Sequence, residues 1–267
     1  LPDAEAPAIP IITTQTPTHY CNPLLYYAAM NILLYKVNEL SSMGQIQITD
    51  PHRQTHLVNV IKPNIGDSLR VGQINGAIGL GKVIAHSELE TRLEITLSQN
   101  SPAPLGLKLL LALPRPKMMR RILQTCATLG VSEITLLNSA KVEKSYWQTP
   151  LLQPMSIYNN LLLGLEQAGT TQLPLLHKAE LFKPFVEDKL SHWAGHSRRL
   201  VAHPRNANAC PDATQQATTL AIGPEGGFTD YEVGKLEEQG FIPFSLGPRI
   251  MRVETAIPVA ISRLCAL

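Results

Sequence analysis

The stretch TLAIGPEGGFT at residues 219–229 runs from apolar residues through a loop rich in glycine and proline to Thr229. The apolar run predicts a buried strand, and the Gly-Pro and Gly-Gly pairs predict a tight loop. Threonine is a residue type that begins helices as an N-cap. A buried strand that leads through a loop into a helix is the repeating unit of a parallel sheet covered by helices, so this stretch predicts an α/β fold.

The same alternation extends outward over the second half of the chain. Apolar runs predict further strands, and periodic patterns that end in stop signals such as Gly130 predict helices. We expect strands at residues 107–113, 134–137, 199–202, 219–222 and 242–245, and helices at residues 116–129, 156–168, 229–239 and 255–266. The predicted architecture is a parallel sheet with helices on both faces.

The first half of the chain has a different pattern. We expect strands at residues 32–37, 45–49, 69–71 and 92–97, turns at residues 64–67, 75–76 and 79–81, and one helix at residues 52–61. Short, evenly spaced strands predict a small β-barrel. The chain is therefore divided into a barrel at residues 30–98, a linker at residues 99–106 and an α/β domain at residues 107–267.

Residues 1–29 contain five prolines and neither lysine nor arginine. A secretory signal needs a basic first region, and a transit peptide is rich in arginine. We therefore expect Met30 to be the natural first residue, with the preceding segment a flexible or non-native extension.

The composition excludes several classes of protein. With 44% hydrophobic and 16% charged residues, the chain is expected to be globular. Its longest apolar run, residues 24–37, is interrupted by Asn31 and Lys36, which argues against a membrane span. The four cysteines are far apart and form no CxxC, so neither a zinc site nor a disulfide framework is expected. A cytoplasmic location follows.

The net charge of +2 is too small to indicate a nucleic-acid-binding protein by itself. Residues 107–267 carry 17 Lys and Arg against 13 Asp and Glu, which fits either an anionic partner or an ordinary solvated surface.

Two further patterns suggest sites that we do not expect. GAIGLGK at residues 76–82 matches part of a phosphate-binding loop, but Val83 stands where a hydroxyl residue is needed, so a hairpin turn is predicted. The pairs His52/His56 and His192/His196 are spaced as zinc ligands on a helix, but neither has the glutamate of an HExxH motif. No bound metal is expected.

Two glycine-rich loops near the C-terminus carry the strongest functional signal. They are AIGPEGGFT at residues 221–229 and FSLGPRIMRVETA at residues 244–256. Each follows a predicted strand, and ligands of parallel sheets bind beyond the carboxyl ends of the strands. The alternative is a pair of tight turns that begin helices at the N-caps Thr229 and Thr255. Two such loops in one chain favour a binding site.

GPEGG followed by FTxxE, and then LGPRIxRxETA, resembles the RsmE family of 16S ribosomal RNA uridine-N3 methyltransferases, which belongs to the SPOUT class. The resemblance extends over residues 30–267. It includes the segments PRPK at 114–117, LGV at 129–131, EQ at 166–167, HPR at 203–205, HLVNVI at 56–61 and GD at 66–67. This chain differs from the usual family pattern at Lys62, Lys141, Thr170, Thr171, Met251 and Val253.

The resemblance implies a SPOUT methyltransferase domain with a deep trefoil knot, through which the final helix is threaded, and an N-terminal PUA-like barrel that binds RNA. It implies S-adenosylmethionine as cofactor and 16S ribosomal RNA, within the small ribosomal subunit, as substrate. It also implies a homodimer. An apolar stripe on the last helix suits a dimer interface or burial within one chain: Ile257, Ala260, Ile261 and Leu264.

The resemblance assigns the cofactor to the two loops and to a third wall. The expected cofactor-binding residues are Leu200, Ala202, His203, Ile222, Gly223, Pro224, Glu225, Gly226, Gly227, Leu246, Gly247, Ile250, Met251, Arg252, Glu254 and Thr255. RNA contacts are expected at Lys62, Arg115, Lys117, Arg120, Arg121, Arg205 and Arg249, although the basic group at residues 115–121 also fits a solvated helix face.

Three residues are candidates for catalysis. Glu225 is the first choice as the base or as a residue that orients the substrate. Glu254 is the second choice, or it braces the loop against Arg252. Arg252 or Arg249 could stabilise charge on the uracil oxygens or hold RNA phosphate. The alternatives are another RNA target, a ribose 2′-hydroxyl acceptor, or an assembly factor that binds RNA without catalysis.

Overall fold

The computed structural model describes residues 31–204 and 207–266, and the expected extension at residues 1–29 lies outside that part. A seven-stranded sheet follows residue 104, and every neighbouring pair of its strands is parallel. Its order is β10-β12-β9-β11-β6-β7-β8. The strands are β6 (Leu105–Ala112), β7 (Val131–Leu137), β8 (Leu175–Ala179), β9 (Arg198–Ala202), β10 (Asn208–Ala209), β11 (Thr218–Ile222) and β12 (Ile242–Ser245).

Six helices accompany this sheet within the described residues. They are α2 (Pro116–Thr128), α3 (Pro154–Ala168), α4 (Phe182–Asp188), α5 (Leu190–Ala194), α6 (Asp230–Glu238) and α7 (Val253–Leu264). The central strand β11 is buried at all five positions, which is why its sequence is a continuous run rather than an alternation. The predicted α/β class is confirmed.

A second sheet contains five strands in the order β1-β3-β4-β5-β2. β1 and β3 are parallel, and the other pairs are antiparallel. The strands of this sheet are β1 (Leu33–Tyr35), β2 (Gln45–Ile48), β3 (Ser68–Gln73), β4 (Ile78–His86) and β5 (Thr91–Gln99). Between β2 and β3 lie the helix α1 (Pro51–His56) and a π-helix (Leu57–Ile61). The strand number and the mostly antiparallel pairing of this sheet are compatible with the expected barrel.

The two sheets share buried surface. Along β1, Leu33 and Tyr35 point into the small core of the five-stranded sheet, whereas Leu34 belongs to the large core. Beyond β1, the Thr171 hydroxyl donates a hydrogen bond to the Gly76 carbonyl (2.6 Å), and Arg70 Nη2 donates to the Gly169 carbonyl (3.2 Å). The end of α3 is therefore fastened to the turn and strand of the other sheet.

The prediction of a turn at residues 79–81 was wrong, because Gly79 and Gly81 lie inside β4. These glycines allow neighbouring strands to approach closely and do not reverse the chain. A Cβ on Gly79 would lie 2.0 Å from the Thr96 carbonyl oxygen of β5, next to a register shift in the pairing. The reversal occurs earlier, where Asn75 takes a positive φ of 59°. The phosphate-loop pattern thus lies largely in a strand.

Other boundaries also differ from prediction. The strand expected at residues 32–37 ends at Tyr35, and a 3₁₀ helix (Val37–Glu39) follows. β5 runs through Gln99, so the connection between the sheets is shorter than expected, at residues 100–104. The last helix begins at Val253 with Arg252 as its N-cap, so the N-cap expected at Thr255 was wrong. Thr229 is an N-cap, as predicted.

None of the helices in the described ranges has both the length and the apolar character that a membrane crossing requires.

Candidate cofactor and RNA site

The two glycine-rich loops leave neighbouring strands of the seven-stranded sheet. Ala202 of β9 is in register with Ile222 of β11 on one side and with Phe244 of β12 on the other. The His203 backbone N–H continues this pairing by donating to the Phe244 carbonyl (2.9 Å). The three expected walls of the cofactor site therefore meet at the carboxyl edge of three parallel strands, where α/β sheets bind ligands.

The first loop, at residues 223–228, turns back tightly on itself. A Cβ on the buried Gly223 would lie 2.7 Å from the Phe228 backbone nitrogen, so a larger residue would force the loop apart. Gly227 has a positive φ of 69°, and its N–H donates to the Pro224 carbonyl (2.7 Å). Glycine is therefore required in this loop for steric reasons: Gly223 allows the close approach to Phe228, and Gly227 takes the positive φ.

Lys141 lies across this loop. Its Nζ donates to the Gly226 carbonyl (2.8 Å), and a Cβ on Gly226 would lie 2.9 Å from Lys141 Cδ. The sequence marks Lys141 as a difference from the usual family residue, arginine. In this chain the lysine fastens the loop after β7 to the glycine loop through a single hydrogen bond.

Glu225 reaches a different neighbour, Arg115 at the start of α2. The Arg115 backbone N–H donates to Glu225 Oε1 (3.0 Å), and the guanidinium Nε lies 3.9 Å from the same oxygen. The Glu225 side chain is 25% exposed and the Arg115 side chain 67% exposed. No described residue donates a hydrogen bond to the other carboxylate oxygen of Glu225. One oxygen thus positions the loop, and the other is left without a hydrogen-bond donor from the described residues.

Glu232, the acidic residue of the FTxxE pattern, has a structural role that sequence reasoning missed. It is buried, and it accepts hydrogen bonds from the Ala140 N–H (2.7 Å), the Thr229 N–H (2.8 Å) and the Thr229 hydroxyl (3.0 Å). The spacing of Thr229 and Glu232 is that of a capping box, which the sequence does show. Its further bond to Ala140 fixes the loop after β7 beside α6.

The second loop, at residues 246–252, is more open. Gly247 takes a φ of 132°, and the Ser245 hydroxyl bonds to its carbonyl and N–H. Ile250 is 87% exposed. Within the described ranges, neither Arg249 nor Arg252 has an ion-pair partner, so the expected brace between Arg252 and Glu254 is not seen. Both guanidinium groups are exposed.

The loops fit a ligand that approaches the backbone closely. No heavy atom of the described chain lies within 4 Å of a Cβ built on Gly227 or Gly247. Open space above two glycines, in loops that also contain the exposed residues Arg249, Arg252 and Glu225, is a suitable surface for a cofactor with polar ends.

The basic residues expected to bind RNA fall in separate places. Four of them are exposed on or beside the first turns of α2, and the first of these contacts Glu225: Arg115, Lys117, Arg120 and Arg121. Lys62 is exposed on the five-stranded side of the molecule and takes a positive φ of 49°. Arg205 lies outside the described residues.

The apolar stripe on α7 is internal. Ile257, Ala260, Ile261 and Leu264 are fully buried within the single chain, where α7 packs against α2. Burial in one chain therefore accounts for the stripe, and it offers no surface to a second copy.

Comparison with known proteins adds to this geometry. A family described as RNA methyltransferase domain matches residues 101–265. Ribosomal RNA small subunit methyltransferase E of Treponema pallidum is 30% identical over 233 residues, which cover 85% of this chain and 87% of that protein. The protein of the same name from Synechocystis is 28% identical over 227 residues, covering 79% and 70% of the two chains.

A solved structure has the same fold. Ribosomal RNA small subunit methyltransferase E of Neisseria gonorrhoeae, bound to S-adenosyl methionine, superposes with a TM-score of 0.72 at 22% identity. The match covers 88% of this chain and 96% of that chain.

Proposed function

The chain belongs to the ribosomal RNA small subunit methyltransferase E family, and from this premise we propose that it transfers a methyl group from S-adenosylmethionine to N3 of a uridine in the decoding region of 16S ribosomal RNA. The observation that carries the proposal is the meeting of residues 223–228 and 246–252 at one sheet edge. The cofactor, when bound, supplies an electrophilic methyl group on a sulfonium.

The loops hold the cofactor mainly through backbone groups. Gly223 to Gly227 form the first side, Leu246 to Thr255 the second, and Leu200, Ala202 and His203 the third. Lys141 and Glu232 keep the first side in place from the neighbouring loop. Because the first loop is held in place before binding, little of its conformational entropy is lost when the cofactor enters.

Glu225 serves the acceptor nucleotide. Uridine N3 carries a proton and becomes a nucleophile only when that proton leaves, so a nearby carboxylate that accepts it assists transfer. The Glu225 oxygen that no described residue hydrogen-bonds takes this role, or orients the base, while the other oxygen stays bound to Arg115. Arg252 and Arg249 stabilise negative charge on the uracil oxygens or bind phosphate. Glu254 is the alternative carboxylate.

The substrate RNA lies across both halves of the molecule. Arg115, Lys117, Arg120 and Arg121 contact phosphates beside the site, where the N-terminus of α2 also favours anions. The five-stranded sheet forms the main part of a PUA-like barrel domain at residues 30–98 that holds a more distant part of the RNA, with Lys62 and Arg205 as further contacts. The domain at residues 107–267 is the catalytic one.

The proposal includes a trefoil knot and a homodimer. In support of the knot, β12 lies beyond β9 in the sheet, yet the following helix α7 returns to pack on α2, which follows β6. The segment between β12 and α7 must therefore cross back past the glycine loop. The dimer interface is formed by surfaces other than the apolar stripe of α7. The enzyme works in the cytoplasm, where its ribosomal substrate is assembled.

Mass spectrometry of ribosomal RNA from a deletion strain tests the function. We expect one 3-methyluridine to be lost from 16S RNA and to return when the wild-type chain is expressed. Loss of a 2′-O-methyl group would indicate a ribose acceptor, and an unchanged methylation pattern would leave only a non-catalytic role.

A further inference from the structure

A cleft of about 310 Å³ lies between the five-stranded sheet and α3, away from the glycine-rich loops. Apolar side chains line part of it, with Leu34 of β1 and Ile74, directly after β3, on one side and Leu162 of α3 on the other. Glu166, near the end of α3, also lines the cleft, together with the polar and charged residues Lys36, Glu39, Asp50, His52, Arg53, Tyr158 and Asn159. A space lined by both apolar and polar groups suits a flat, partly polar ligand.

Glu166 is the unusual residue of this cleft. Glu166 is only 7% exposed, and no described residue donates a hydrogen bond to its carboxyl group or forms an ion pair with it. Burial raises the pKa of Glu166 to about 7, although the charge of Arg53 acts in the opposite direction. Buried polar groups in proteins are nearly always hydrogen-bonded, so a carboxyl group left facing a cleft points to a ligand that donates to it.

The other two carboxylates of the cleft, Glu39 and Asp50, already accept hydrogen bonds from Arg53, which leaves this role to Glu166. Arg53 is already engaged, because its guanidinium binds Glu39 at 2.6 Å and the Leu34 carbonyl at 3.3 Å. Lys36 lies at the edge of the cleft, with its Nζ 5.1 Å from the centre of the Tyr158 ring. It is in no ion pair within the described ranges. The cleft therefore offers an acceptor inside and a cation at its mouth.

We propose that this cleft binds a guanine of the substrate RNA, with the guanine N1–H and 2-amino group donating to the Glu166 carboxylate. An ionised carboxylate only accepts hydrogen bonds, and guanine presents two adjacent donors on its Watson–Crick edge. Uracil presents one N–H between two carbonyl oxygens, which a carboxylate repels. The apolar walls pack on the faces of the base, and Lys36 contacts its phosphate. The inference rests on the proposed function in taking RNA as the substrate.

Nucleotide titrations of the full chain, followed by saturation-transfer NMR, test the proposal directly. We expect 5′-GMP to bind about tenfold more tightly than 5′-IMP, which lacks the 2-amino group and therefore one hydrogen bond to the charged acceptor. AMP and UMP should bind more weakly still. Equal binding of the four nucleotides by the wild-type chain would overturn the proposal.

The variant Glu166→Gln should lose the preference for GMP over IMP, whereas the matched control Glu237→Gln, on the exposed end of α6, should keep it. A Glu166→Gln variant that folds and retains the preference also contradicts the proposal. Because the comparison of nucleotides uses the wild-type chain, it remains decisive even if the variant does not fold.

Methylation assays separate this inference from the proposed function. Glu166→Gln should raise the KM for RNA about tenfold and leave the affinity for S-adenosylmethionine unchanged. If the wild-type chain methylates RNA but shows no nucleotide preference, only the cleft proposal fails. If it prefers GMP but methylates no ribosomal RNA, only the proposed activity fails.

Discussion

At the scale of single residues, Glu225 shows what sequence reasoning reaches and what it misses. Its position between Pro224 and Gly226 marks it as a functional candidate, because a carboxylate in a loop expected to bind a ligand can accept a proton or orient the substrate. The bond from the Arg115 N–H depends on β6 and β11 being neighbours in the sheet. Residues 110 positions apart show no such pairing in one sequence.

Glu225→Gln keeps the size of the side chain but removes its basicity. If Glu225 accepts the N3 proton, we expect turnover to fall ~10²–10⁴-fold, with cofactor affinity nearly unchanged and partial rescue at high pH. Single-turnover rates and cofactor titrations across pH provide the measurement, with Glu237→Gln as control. A parallel fall in affinity and turnover, without rescue, would assign Glu225 to loop positioning instead.

Gly223→Ala tests the steric requirement of the first loop. The added methyl group would meet the Phe228 backbone nitrogen at 2.7 Å, and backbone cannot move aside as a side chain can. We expect calorimetry to show at least a tenfold loss of S-adenosylmethionine affinity. Gly234→Ala on α6, where a methyl group meets open space, should bind normally. Normal binding by the Gly223 variant would place the cofactor elsewhere.

Glu166→Gln should weaken RNA binding but raise the free energy of unfolding. The pKa of Glu166 is about 7 when folded against an ordinary value of 4.5, so ionisation destabilises the folded chain as pH rises between these values. The groups around the carboxyl are Arg53 and His52 of α1, Asp50 before it, Lys36 and Glu39, and Tyr158 and Asn159 of α3.

We therefore expect the glutamine variant to be more stable than wild type by ~2–3 kcal/mol at pH 8, with the difference vanishing near pH 4. Urea unfolding at both pH values measures it. A variant less stable than wild type at pH 8 would show that the carboxylate makes a stabilising contact in the free protein, contrary to the structure.

At the scale of elements, strongly patterned segments were predictable. The α2 stripe of Met119, Ile122 and Cys126 faces the core as the helical period requires, and Gly130 ends the helix region with a φ of 76°. β8 was missed because it is an edge strand whose residues are mostly exposed, so it has no apolar run. The start of α7 was misplaced because Arg252 caps it without a side-chain hydrogen bond, and the sequence contains no cap signal there.

The exposed basic residues at the start of α2 give a prediction about salt. If they contact phosphates, the double variant Lys117→Gln/Arg121→Gln should reduce the slope of log affinity against log salt by ~1–2. RNA affinities measured over a range of salt concentrations provide the slope. Lys183→Gln/Lys189→Gln changes the net charge equally at two exposed positions, one on α4 and one directly after it, and should leave the slope as in wild type. An unchanged slope in the α2 variant would assign these side chains to the solvated surface.

At the scale of the whole molecule, the pattern changes near residue 100 from short strands to alternating strands and helices, which predicts two sheets. How the two sheets are attached to each other is not visible in the sequence. Thr171, noted as a difference from the usual family pattern, is buried and bonds to the Gly76 carbonyl of the other sheet. Which strands become neighbours also follows from long-range packing rather than from local periodicity. The tight turns of the glycine loops were predictable because their residue types act locally, and their role as a binding site stays a prediction.

The central claim is that this chain methylates N3 of a uridine in small-subunit ribosomal RNA. The most direct measurement incubates the purified chain with methyl-labelled S-adenosylmethionine and small subunits lacking the modification, followed by mass spectrometry of the digested nucleosides. We predict that the label is recovered in 3-methyluridine. Recovery of the label only in 2′-O-methyluridine, or in no nucleoside at all, would contradict the account.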